Sequence, residues 1–306
     1  MVDAPASPEQ GLYTACMPLD TAAAPTLSTA VNRLWLPRVS LSACVRGVMG
    51  RDTRGAALSD AQRLSYFPAS PLCTLSWWFE GEAQMLPFGE PHGPAVGMPG
   101  RFVFGGPYRG PSLWRNPGPT HGMMLLLLPD AMHHLVGLEA DHWVDRFDDA
   151  AQVLPPDWIA MCEAVQAAPD DDARIRLIED FLEPRWQAAR PHLALAGHRY
   201  GDWAQGLALR AATSSAGRSL RQMERRIKQW AGQSMRELRC IARAEQAFLD
   251  VAASGQPDWA AVAASGGYAD QSHLCRETRR VTGFSPAELY RLIAENESFW
   301  AYRLWA

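Results

Sequence analysis

Apolar residues change their spacing once along the chain, near residue 129. From Val31 to about Leu128 they come in short runs: LSACVRGVM from Leu41, LSYF from Leu64, CTLSWWF from Cys73, RFVF from Arg101 and GMMLLLL from Gly122. Between Gly81 and Gly122 stand ten Gly and eight Pro, which leave little room for helix and much for turns. Short strands at this spacing predict a sandwich or barrel. The run MMLLLL, Met123 to Leu128, is far too short to span a bilayer and reads as a buried strand. Trp77 and Trp78 are neighbours on a strand, so they face opposite ways and at most one points inside.

Beyond Pro129 the period becomes helical. AMHHLVGL, WIAMCEAVQAA and DDARIRLIEDFLEPRWQAA carry apolar residues three and four apart, with Ile175, Ile178, Phe181 and Leu182 on one face. Pro155-Pro156-Asp157, and Pro169 followed by three Asp, are helix-start signals. Residues 130–190 are therefore expected to be helical. The first 30 residues, rich in Ala, Pro, Ser and Thr, are expected to form a flexible tail. A linker is placed at 191–200, where Pro, Gly and two His cluster and another Gly follows at 201.

The last third repeats itself. SLRQMERRIKQWAGQSMREL from Ser219 aligns with DQSHLCRETRRVTGFSPAEL from Asp270 at a constant offset of 51 residues. Ser219 and Asp270 are good N-caps, and Gln222 completes a capping box with Ser219. Gly232 and Gly283 stand where a left-handed C-terminal residue is needed, which predicts two helices of about 12 residues. Ahead of each lies a short Ala-rich helix, roughly Gln205 to Thr213 and Pro257 to Ala264, joined by the glycine-containing turns SSAGR and SGGYA. Helix, short turn, capped helix is the helix-turn-helix pattern, whose second helix enters the major groove. Between the copies, Ser234 to Ala253 predicts a connecting helix of about 27 to 30 Å, comparable to the ~34 Å of one duplex turn.

Charge supports this reading by its distribution. The net charge is -4, yet from Gly201 onward there are 14 Arg+Lys against 11 Asp+Glu, and before it 15 against 22. Eight basic residues fall between Arg218 and Arg243, with only Glu224 and Glu237 opposing them.

The doubled motif, above all GYADQSHLCRETRRVTGFSPAEL, closely resembles the DNA-binding domain of the AraC/XylS family of bacterial transcription regulators, over roughly Gly201 to Ile293. LSYFPASPLCTLSWWFEGE and VFGG loosely resemble that family's cupin-like sensory domains. The resemblance implies an α+β chain: a cupin-like β domain at 31–128, a dimerising helical segment at 129–190, and a DNA-binding domain at 201–306. It further implies double-stranded DNA as partner, a homodimer, a small-molecule effector or dimer contacts acting through the first domain, and RNA polymerase as partner if the protein activates.

On the two recognition helices, Met223, Ile227, Leu274 and Val281 are expected to face inward. Arg221, Gln222, Arg225, Gln271, Ser272, His273 and Arg276 are expected to reach base edges, since Arg pairs with guanine and Gln suits adenine. Arg218, Arg226, Lys228, Arg279 and Arg280 are assigned to phosphates. Glu224 and Glu277 stand among these contacts, where an acid either reads cytosine or repels phosphate. The aromatic segment ENESFWAYRLWA is expected to pack against its own domain or the sensory half. Tyr66, Trp78, Phe102 and Trp114 are the candidate pocket residues, because small-molecule sites are mainly apolar and aromatic.

Other chemistry finds little footing. His92 with Glu90, and His121, do not reproduce the ligand spacing of a metal-dependent cupin enzyme, and His133-His134 should diverge, so no metal or cofactor is expected. That enzyme, fused to a DNA-binding part, is the alternative reading, beside a regulator whose barrel only dimerises. No nucleophile motif sits in its proper context. The six scattered cysteines and the absence of a signal-like start point to reduced thiols, a cytoplasmic location and no catalytic role.

Overall fold

A computed structural model describes residues 30–191, 199–214, 219–255 and 257–305. The expected tail up to residue 29, the linker at 192–198, and Arg218 with most of its turn lie outside these residues.

Ten strands form the first half: β1 (Val31–Trp35), β2 (Val45–Asp52), β3 (Leu64–Phe67), β4 (Cys73–Glu80), β5 (Gln84–Leu86), β6 (Val96–Gly97), β7 (Phe102–Gly105), β8 (Ser112–Arg115), β9 (His121–Leu127) and β10 (Phe147–Asp149). They make two antiparallel sheets, one ordered β1-β2-β9-β4-β7-β10 and the other β3-β8-β5-β6. The run at Met123 is a buried strand, as expected, and lies inside the larger sheet between β2 and β4. Phe147–Asp149 departs from the helical expectation for 130–190, because its three residues pair with β7 and complete the edge of the larger sheet.

Both faces of the larger sheet are covered. Cys73, Leu75 and Trp77 of β4 share one face with Phe102 and Phe104 of β7 and Leu125 and Leu127 of β9. Onto it pack α1 (Pro129–Val136), α2 (Ala150–Val153), α3 (Pro156–Ala167) and α4 (Asp171–Ala189), through Met132, Trp158, Cys162, Ile178, Leu182 and Trp186. Trp77 is fully buried there and its indole N–H donates to the Cys162 carbonyl at 3.2 Å. The opposite face looks into the space between the sheets.

The second half is helical: α5 (Tyr200–Thr213), α6 (Leu220–Ala231), α7 (Met235–Ser254), α8 (Trp259–Ser265), α9 (Gln271–Thr282), α10 (Pro286–Glu295) and α11 (Trp300–Arg303). It is bound to the sheets at several points. Buried Asp130 of α1 accepts from the Trp203 indole at 2.8 Å and pairs with Arg210. Arg46 of β2 meets Glu245 of α7 at 2.7 Å, and the Ala69 amide donates to the Val281 carbonyl at 2.7 Å.

Candidate nucleic-acid interface and effector cavity

The first motif is α5 and α6. Ser219 Oγ accepts from the Gln222 amide while Gln222 Oε1 accepts from the Ser219 amide, each at 3.3 Å, so the capping box forms as the sequence predicts. At the other end Gly232, with φ +70, donates its amide to Lys228 O at 2.7 Å. Ile227 is buried and Met223 half-buried. Arg221, Arg225 and Lys228 are exposed, with no ion-pair partner among the described residues. Two expectations change. Arg226 is only 8% exposed and donates to the Ala211 carbonyl of α5, so its charge is used inside the motif rather than on phosphate. Gln222 also accepts from the Ser219 hydroxyl at 3.0 Å, which ties its oxygen to the cap and leaves only its amide nitrogen for a base.

The second motif is α8 and α9. Asp258 caps α8 by accepting from the Ala260 and Ala261 amides, and Asp270 caps α9 from the His273 amide at 2.7 Å. Gly283, with φ +86, ends α9. Leu274 and Val281 are buried, as predicted, and Gln271, Ser272, Arg276 and Arg279 are exposed. His273 is drawn inward instead: Nδ1 accepts from the Ala269 amide at 3.2 Å and Nε2 lies 3.3 Å from Glu277. Glu277 in turn takes Arg243 of α7 at 2.6 Å on both oxygens, so it neither reads a base nor repels phosphate. Arg280 is half exposed and stands 3.7 Å from Glu237. Exposed Arg236 and Arg239 of α7 add cations that the helix pattern alone did not single out; the basic run from Arg218 to Arg243 was the signal for them.

Between the sheets and the helical half lies a cavity of about 300 Å³. Strand pairing decides what lines it. Val103 and Gly105 lie opposite Ser76 and Thr74, and Met49 opposite Met124, on the face away from α3. Trp78 and Trp114 share that inner side and line the cavity, as the sequence suggested. Phe102 and Tyr66 do not. Phe102 pairs with Trp77 on the helix-covered face, and Tyr66 pairs with Leu113 on the outside of the smaller sheet. There the Tyr66 ring stacks on Phe299 at 4.8 Å and meets Phe284 edge-on. Ile241, Thr278, Val281, Trp300 and Tyr302 of the helical half complete the wall.

The segment from Glu297 is thus part of the β-rich half as well. The Trp300 indole donates to Ser65 Oγ at 2.9 Å, the Arg51 guanidinium lies 5.0 Å over its ring, and Ser298 Oγ donates to the Ala61 carbonyl. Arg51 Nη2 is 3.2 Å from Glu297 Oε1. Burial pulls the Arg51 guanidinium down to about 10 against the opposing pull of Glu297, while Nη1 has no hydrogen-bond partner among the described residues.

The metal-cupin reading gains no geometry. His92 and Glu90 are exposed, whereas His121 is buried 3.1 Å from Asp171. Among the described residues the group able to gather around a cation is Glu139, Asp141 and His142, on a surface turn outside the barrel. The rings of His133 and His134 meet edge-on at 5.5 Å instead of diverging. Burial raises the thiols of Cys44, Cys73 and Cys162, which removes them as nucleophiles.

Residues 213–291 match the family described as a helix-turn-helix domain. No curated protein matches the chain. Among solved structures it is similar to an apo ToxT variant from Vibrio cholerae strain SCE256, with 8% identity, TM-score 0.35, and coverage of 85% of this chain and 96% of that one. It is also similar to ToxT from Vibrio cholerae O395 (10%, 0.36, 76% and 95%) and to unsaturated fatty acid bound wild-type ToxT from strain SCE256 (9%, 0.34, 75% and 94%). The matched segment and the two capped motifs define a DNA-binding regulator. Its helix-turn-helix domain is of the AraC type.

Proposed function

We propose that the protein is a sequence-specific transcription regulator that places α6 and α9 in successive major grooves on one side of a duplex. One observation carries this: at the common offset of 51, Arg225 and Arg276, and Lys228 and Arg279, are exposed in both motifs. The connecting helix α7 has 20 residues, or about 30 Å, close to a duplex turn. Arg221, Arg225, Gln271, Ser272 and Arg276 supply base contacts, with phosphates taken by Lys228, Arg279, Arg280, Arg236 and Arg239. Selection of bound duplexes from a random pool by the full chain tests the reading: enrichment of one sequence, with affinity falling steeply as salt rises, supports it. Equal binding of all duplexes at low salt refutes it.

The cavity makes a small, largely apolar effector the natural input. A molecule there would touch Trp78 and Trp114 on one side and α7, α9 and Trp300 on the other. It would alter DNA binding only by its differential affinity for the DNA-competent arrangement. Ser76→Trp, which fills the cavity, should abolish any ligand-induced rise in unfolding temperature; a rise that persists would place the ligand elsewhere. Dimerisation is assigned to the helical layer, supported by exposed Leu177 of α4. Sedimentation of a Leu177→Glu chain as a dimer would overturn that assignment.

A further inference from the structure

We infer that Leu220 is a sequence-reading residue of the first motif, seated against the C5 methyl group of a thymine in the major groove. This rests on the regulator reading above. Leu220 is the first residue of α6 and is 78% exposed, more than any other leucine among the described residues. Ser219 and Gln222 fix the backbone on which it sits, so its exposure is not that of a frayed end. The 51-residue offset pairs it with Gln271, which is exposed at the same first position of α9. N-terminal residues of a recognition helix are the ones that reach base edges. One motif therefore presents an amide at this place and the other a purely apolar group.

What an apolar group could meet there is restricted. Arg221, Arg225 and Lys228 share the exposed surface of α6 with Leu220, beside the single acid Glu224, and the three cations have no protein partners among the described residues, which suits a polyanion rather than an apolar protein surface. Among the base edges of the major groove, the apolar group is the thymine methyl. Leucine offers neither donor nor acceptor and is blind to the remaining pattern. Leu220 thus discriminates thymine from cytosine at one step of the site, and Gln271 performs its reading at the other half through hydrogen bonds.

The test uses the full chain and the duplex it enriches from a random pool. Each thymine is replaced in turn by deoxyuridine, which removes only the methyl group. Wild-type affinity is expected to fall about fourfold at one or two positions, the equivalent of one buried methyl. Leu220→Ala should lose a similar factor on the parent duplex, become indifferent to deoxyuridine, and keep the wild-type unfolding temperature. Silence at every thymine, or undiminished sensitivity in Leu220→Ala, overturns the inference while the regulator reading stands. Failure to enrich any sequence defeats both.

Discussion

The two helix-turn-helix units share a plan but not an anchor. In the first, Trp203, Leu207, Ala211, Ile227 and Ala231 belong to the same buried cluster as the strands of the larger sheet. The second has a small core of its own, made of Ala247, Val251, Val262, Ala263, Tyr268 and Leu274. Equivalent positions are also used differently. Arg226 and its counterpart Glu277 both turn inward, one to a carbonyl of α5 and the other to Arg243 of α7. Gln229 and its counterpart Arg280 both reach an acid, Glu139 of the sensory half in one case and Glu237 of α7 in the other. The first unit is thereby built into the buried cluster of the larger sheet, whereas the second keeps a small core of its own and meets the β-rich half through Val281, Gly283 and Phe284. An effector of the kind proposed, bound in the cavity, would have most scope to act by repositioning the second unit relative to the first.

This contrast can be broken most forcefully at Asp130. Asp130→Ala leaves Arg210 buried without its counter-ion, and the loss expected is about 3–5 kcal/mol in chemical denaturation. Amides of α6 should lose exchange protection together with those of β9, while those of α9 keep theirs; joint loss in both units would erase the distinction. The terminating glycines come next. An alanine in the left-handed region costs about 1–2 kcal/mol. At Gly232 its Cβ would lie 2.9 Å from the Ala140 carbonyl, and at Gly283 it would lie 2.2 Å from the Phe88 ring. A carbonyl fixed in the backbone yields less than a half-buried ring, so Gly232→Ala should lower the unfolding temperature more than Gly283→Ala.

Smaller effects sharpen the comparison. Arg276→Ala should weaken specific binding by about 1–3 kcal/mol without altering stability, and relax sequence preference at one position. Arg280→Ala should mainly reduce the salt slope, by about one. Arg226→Ala should do the reverse of both, costing roughly 1.5–3 kcal/mol of stability with the salt slope unchanged. Equal salt slopes for Arg280→Ala and wild type would refute the phosphate role. The mildest test is pH. Burial pulls His121 and His134 below the ordinary histidine range, opposed by Asp171 and Asp130 respectively. The unfolded chain then binds these protons first, so stability present above about pH 6.5 is lost as pH falls through the folded values. Unfolding temperatures should decline from about pH 7 toward 5, and less so when both residues are replaced by Gln.

Much of the DNA-binding half was legible in the sequence, because caps and terminating glycines are local signals that need no distant partner. Ser219, Gln222, Gly232, Asp270 and Gly283 act as their types and spacing predict. The inward turn of Arg226 and Glu277 was not legible, since it depends on Ala211 and Arg243 in other helices; that of His273 rests on Ala269 and Glu277, each four residues away. In the sensory half, alternation correctly separated Trp77 from Trp78 but could not say which face was the interior. The larger sheet is covered by helices on one side and lines the cavity on the other, so both faces are buried and Phe102 fell on the wrong one; Tyr66, on β3 of the smaller sheet, turns to Phe299 and Phe284 instead of the cavity. β10 escaped notice because three residues, FDD, are too few for a period.

Trp300 and its neighbours finish a domain that begins more than 230 residues earlier in the chain. During synthesis the sheets must wait for the entire DNA-binding half to emerge before that wall can close. A ribosome stalled anywhere before Glu297 therefore holds a β-rich half with an open side.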